Sequence, residues 1–297
     1  MSVIYNKTEP PFGPIVNGTQ IVFFEYLPNE AAAWIFVVLF FLAAVVHLGL
    51  LIWLRAWHFL PLTLGAVGEG FGYYRRVQAH KTPNVAGPFI MQNILILGCA
   101  PLIAATVYMT LGRYIRVFQL RDRIVIPPRL MTFVFVTVDL GCFVTQVFGS
   151  AAPASGDPQG IALGKTLIIG GLITQLAALC LFLILTLVSD RLAKNSRSQD
   201  DKVGSIADSA PRYFQVTYWV AGAMLLRSLV RGIEYLQGDG GFIISHEAFV
   251  YVLDGVPMVF VAAVYVFVHP GKLLRDAARV GGTEEHQELA NYRRLSA

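Results

Sequence analysis

Seven apolar stretches, each close to the length of about 20 residues that a helix needs to cross the hydrocarbon core, constrain this chain most. They fall near 32–54, 58–77, 88–110, 130–150, 163–188, 213–236 and 247–268. Inside lipid a backbone must satisfy its own hydrogen bonds, which leaves helices as the form such apolar runs can take. The predicted fold class is therefore an all-α integral membrane protein with seven transmembrane helices. Composition agrees: 55% of residues are hydrophobic, 14% are charged and the mean hydropathy is +0.58, too apolar for an ordinary soluble domain. The expected organisation is a tail over 1–31, a seven-helix domain over 32–268 and a second tail over 269–297.

Orientation follows from the basic residues. Of the 23 lysines and arginines, 16 fall after the first, third, fifth and seventh stretches, and five (Lys7, Arg75, Arg76, Lys81 and Lys165) fall on the opposite side, ahead of the first stretch or about the end of the second and the start of the fifth. Arg227 and Arg231 lie within the sixth. The positive-inside rule then predicts an exoplasmic N-terminus and a cytoplasmic C-terminus. Two acceptor sequons, at Asn6 and Asn17, fall on the glycosylatable side, in a tail expected to be exposed. The fifth connection is polar and serine-bearing, and nothing in the chain reads as a separate soluble domain.

Several functions are disfavoured. The net charge of +4 has no accompanying nucleic-acid motif, so no nucleic-acid partner is expected. Cys99, Cys142 and Cys180 all lie in apolar runs, where cysteine acts as a small buried hydrophobe, and their spacing suits neither an outer disulfide nor zinc. His47, His246 and His269 form no metal-binding helical pair. GIALGKT at 160–166 is one residue short of a phosphate loop, and the seventh stretch has no lysine for a retinal Schiff base. No cofactor, metal or catalytic residue is expected.

The chemistry is carried by charges inside the apolar stretches. Arg227, Arg231 and Glu234 stand at i, i+4 and i+7 of the sixth, and Glu247, Tyr251 and Asp254 repeat that spacing in the seventh. Glu69, Tyr73 and Arg76 do the same in the second, beside the small-residue pair Gly68 and Gly72. The fourth aligns Thr132, Asp139 and Gln146, and the fifth contributes Gln175. Charged stripes are costly in lipid and must face protein or water. Glu69 and Arg76 can pair across two turns, and Arg227 or Arg231 is the expected partner of Asp139. The stripes imply either a polar cavity opening toward the outer leaflet or a closed salt-bridge network that fixes helix packing.

The motifs GEGFGYYRR, APLIAATVYMTLGR, FVTVDLGCFVTQVFG, GGLITQ and RSLVRGIEYLQGDGGFIISHEAFVYVLDGVPM, with the closing HPG, resemble the fungal RTA-like family of lipid-translocating exporters. The likeness runs from the second stretch to His269. The sequence departs where Gln146 is followed by Val147 and Phe148 before Gly149, in place of a glycine run. The resemblance implies a multi-pass protein of the plasma membrane or related membranes that exports or flips sphingoid long-chain bases or related amphiphiles, with membrane lipids as its partners. It assigns the family's charged positions to Glu69, Arg76, Asp139, Gln146, Arg227, Arg231, Glu234, Glu247 and Asp254. The expected function is thus a lipid or amphiphile translocator without its own ATPase. The alternatives are a seven-helix receptor or membrane-stress sensor with a cytoplasmic partner and, third, an intramembrane hydrolase.

Overall fold

The computed structural model describes residues 9–13, 15–16, 19–20, 22–124, 126–151, 158–197, 204–238 and 241–277. Seven long helical segments run through the described residues. They are α1 (Glu30–Leu54), α2 (Leu60–Lys81), α3 (Ala86–Val117), α4 (Pro128–Ala151), α5 (Pro158–Arg197), α6 (Gly204–Gln237) and α7 (Val256–Phe267). A π-helical turn, Val250–Gly255, leads into α7, and a helical stretch at 270–277 follows it. Two strands of two residues each, β1 (Ile15–Val16) and β2 (Thr19–Gln20), pair antiparallel ahead of α1.

Local sequence sets the helix ends. Asn29 caps α1 by accepting from the Ala32 amide at 3.0 Å. Prolines open α4 and α5 and stand in the first turn of α2, where a missing N–H costs no intrahelical bond, and Pro257 follows directly on the π-turn. Each helix packs on the next in sequence, α7 returns to α1, and α3 reaches α6 across the bundle. Glycines permit a close approach of α2 and α3. A Cβ at Gly72 would stand 2.7 Å from the Ile96 side chain, and one at Gly68 would overlap the Cys99 sulfur.

Polarity is reversed relative to a soluble protein. On α1, Phe36, Phe40, Ala44 and His47 are buried, while Ile35, Val38, Leu42 and Val45 are exposed. The charged stripes turn inward, and an apolar coat faces out, as lipid requires. Five helices among the described residues are long and apolar enough to cross a membrane; α2 and α6, which carry the densest stripes, are not among them. At about 1.5 Å per residue, the 40-residue α5 is twice as long as a hydrocarbon core of about 30 Å. Its ends therefore stand well beyond the 163–188 expected from hydropathy.

Two expectations change. Cys99 and Cys142 are buried, but Cys180 is exposed, because α5 turns it outward with Ile173, Leu181 and Ile184. The segment before α1 is not simply an exposed tail. Phe12 and Phe24 bury with Ala79, Phe23 stacks on Phe89 at 5.0 Å, and the Gly13 amide donates to Asn84 Oδ1 at 2.7 Å. Asn6 and Asn17 lie outside the described residues.

Candidate functional site

The predicted residues gather in two buried polar regions. The first joins α2, α6 and the π-turn. Arg227 donates to Glu69 Oε1 at 3.4 Å and to the Ile96 carbonyl at 3.0 Å, and its Nε pairs with Asp254 Oδ1. Arg231 donates to Asp254 Oδ2 at 2.9 Å and to Glu234 Oε2 at 3.1 Å. Asp254 thus bridges both arginines. Nearer the start of α1, Arg76 donates to Tyr251 Oη at 3.0 Å, Tyr26 Oη at 2.9 Å and Glu247 Oε1 at 2.9 Å. Glu247 also accepts from the Asn29 amide at 2.7 Å.

Between these two layers lies an aromatic stack. Tyr73 sits face to face with Phe36 at 4.9 Å and Phe40 at 5.6 Å, and Tyr251 stacks on Phe36 at 5.1 Å. These rings stand beside the buried Arg227–Asp254 pair and the Arg76–Glu247 pair, whose carboxylate is 18% exposed. The π-turn is what fits this region together: one wide turn brings Tyr251, Asp254 and Gly255 to buried positions. Gly255 lies so close to the Tyr73 hydroxyl and the Phe36 ring that a Cβ there would collide with both.

The second region is a cleft between α3, α4, α5 and α6. Asp139 is 1% exposed; its Oδ2 accepts from Tyr108 Oη at 2.7 Å, and its Oδ1 has no hydrogen-bond partner. Two turns along, Gln146 donates to Gln175 Oε1 at 3.2 Å. The cleft is lined by these polar groups, by Ser228 and the inner sides of Arg227 and Arg231, and by apolar atoms of Phe143, Leu179, Met224 and Met258. It encloses about 520 Å³ up to its open mouth. Its free space is narrow, with room for about two waters. Arg231 Nε is a second buried polar atom without a partner.

Two expected pairings are replaced. Glu69 and Arg76 do not pair along α2; each reaches across to α6 or to the residues ahead of α7. Asp139 is bonded by Tyr108 because both arginines are already held by Glu69, Asp254 and Glu234. Thr132 spends its hydroxyl on the Pro128 carbonyl of its own helix, at 3.1 Å. Sequence reasoning missed Tyr26, Asn29, Tyr108 and Ser228. Asn29 carried a usable signal, since an N-cap placed directly before an apolar run marks where the chain enters the bundle.

The comparisons with known proteins fit this arrangement. A family described as "RTA1 like protein" matches residues 62–277, which spans α2 to the end of the described chain and includes every residue of both polar regions except Tyr26 and Asn29. The chain belongs to the RTA1-like family. Among its relatives, Protoporphyrin uptake protein 1 of Saccharomyces cerevisiae is 30% identical over 275 residues, covering 81% of this chain and 89% of the relative. Protein RTM1 of the same yeast is 31% identical, covering 70% and 66%. The Sphingoid long-chain base transporter RSB1, also from Saccharomyces cerevisiae, is 23% identical, covering 82% and 72%. No solved structure matches. Family and apolar helices together make this a multi-pass membrane protein.

Proposed function

We propose that the chain translocates cationic amphiphiles, of which sphingoid long-chain bases are the leading class, and that the cleft at Asp139 receives the head group. All seven helices cross the membrane in this reading. The exoplasmic side is the end where Tyr26, Arg76 and Glu247 meet, as the distribution of lysine and arginine requires. α2 and α6 cross despite their charges because those charges are matched by protein, not by lipid.

The observation that carries the reading is the unpartnered carboxylate oxygen of Asp139, buried beside a cleft lined by both polar and apolar side chains. A long-chain base offers an ammonium to that oxygen and a neighbouring hydroxyl to Arg231 Nε, while its alkyl chain follows Phe143, Met224 and Met258. The narrowness of the cleft requires α4 or α6 to move for a head group to enter. Relatives named as a sphingoid base transporter and a protoporphyrin uptake protein support membrane transport as the general class.

The test is leaflet-resolved movement of a fluorescent long-chain base in vesicles holding only the purified protein. Movement is expected to exceed that in protein-free vesicles and to fall to that baseline with Asp139→Asn. Equal movement in both proteins would overturn the proposal. Ligand-dependent recruitment of a cytoplasmic protein, without lipid movement, would place the chain among receptors instead.

A further inference from the structure

Of the buried acids among the described residues, Asp139 alone stands in no ion pair. In the first region Arg227 and Arg231 face Glu69, Asp254 and Glu234, so two bases meet three acids and no positive charge is left over. Arg76 is matched by Glu247. At the other end of the bundle, Asp190 is paired with Lys194 at 2.8 Å. Asp139 has none of this. Around it α3 supplies the Tyr108 hydroxyl, α4 supplies Cys142, α5 supplies Gln175, and α6 supplies Ser228 and the two committed arginines, while α7 contributes only Met258. No lysine or histidine lines the cleft.

A carboxylate stripped of water and left without a counter-cation is costly inside a membrane, so it is held either by a proton or by an arriving cation. We propose that Asp139 is a proton-exchange site that couples amphiphile movement to a pH gradient. With the cleft empty, Asp139 carries a proton on the oxygen that has no partner. When a cationic head group arrives, that O–H bond breaks, the proton passes to water on the side from which the cation came, and the carboxylate pairs with the cation. One positive charge enters as one leaves, so the site stays neutral throughout. Return of the proton from the opposite side releases the cation there. The cation and the proton thus travel in opposite directions, one for one. This rests on the cleft being the path of a cationic amphiphile.

The experiment uses the full chain in vesicles and an N,N,N-trimethyl long-chain base, whose fixed charge cannot carry a proton itself. With an acidic lumen, one-for-one exchange is expected to enrich the probe on the luminal leaflet by about tenfold per pH unit, because each pH unit and each tenfold ratio are the same free energy. Asp139→Asn, which holds no exchangeable proton, abolishes the enrichment. Asp139→Glu, which restores an acid, retains it and guards against a merely misfolded asparagine variant. In detergent, adding the probe releases about one proton per bound cation from the native protein, read with a pH dye, and none from Asp139→Asn.

Four outcomes overturn the proposal. Movement that equalises the leaflets whatever the pH gradient would leave the transport reading intact and remove proton exchange. Enrichment that persists in Asp139→Asn would assign the exchange to another group, and enrichment driven by a sodium gradient at equal pH would assign it to another ion. No probe movement at all, without proton release, would end the transport reading and the coupling together.

Discussion

Two buried polar regions in this bundle are built from the same residue types and differ in how completely they are paired. In the α2–α6–π-turn region every charged side chain meets an opposite charge, and the Ile96 carbonyl accepts from Arg227. In the α3–α4–α5–α6 cleft a carboxylate of equal burial has one phenol for company and an oxygen with nothing. A buried ion pair adds little net stability but is expensive to break, so a network in which every charged side chain has an opposite charge acts as a fixed frame. An unsaturated site in the same frame has a standing free-energy reason to take a ligand. Burial of charge alone does not distinguish scaffold from site; completeness of pairing does.

The comparison can be broken most forcefully at Arg227. Arg227→Ala strands Glu69 and one oxygen of Asp254 and is expected to cost about 3–5 kcal/mol, seen as a large loss of thermal stability in detergent. A loss under about 1 kcal/mol would mean that the network is not the frame. Gly255→Val drives a side chain into Tyr73 and Phe36 and should cost about 1–3 kcal/mol by overpacking, measured in the same way. Tyr26→Phe removes one hydrogen bond to Arg76, and a decrease of about 0.5–1.5 kcal/mol is expected. Asp139→Asn sharpens the contrast from the other side. It keeps an acceptor for Tyr108 and is as uncharged as the protonated acid, so its unfolding midpoint should stay within about 1 kcal/mol of the native value even as lipid movement is lost.

Much of this was legible before any coordinates. The i, i+4, i+7 stripes named Glu69, Arg76, Arg227, Arg231, Glu247 and Asp254, because a charge in an apolar run must find protein and helical spacing says which charges share a face. Who pairs with whom was not legible. Pairing depends on helix rotation and on depth, and the π-turn at Val250–Gly255 shifts the face of the last stripe in a way that a regular period does not encode. Tyr108 escaped notice because a tyrosine in an apolar helix reads as core until its hydroxyl is seen to end on a carboxylate. Tyr26 escaped because it lies ahead of the first apolar run, and only the folded bundle brings it onto Arg76.

The claim at the centre is that the cleft at Asp139, and not the ion-paired network or the outer apolar coat, is where an amphiphile's head group sits. A photoactivatable long-chain base, cross-linked to the purified protein and mapped by mass spectrometry, tests it directly. Labels are predicted on the cleft walls at Phe143, Met224 and Met258, and they should disappear with Asp139→Asn. Labels confined to outward residues such as Val38, Leu42 and Ile173, and unchanged by that substitution, would contradict it.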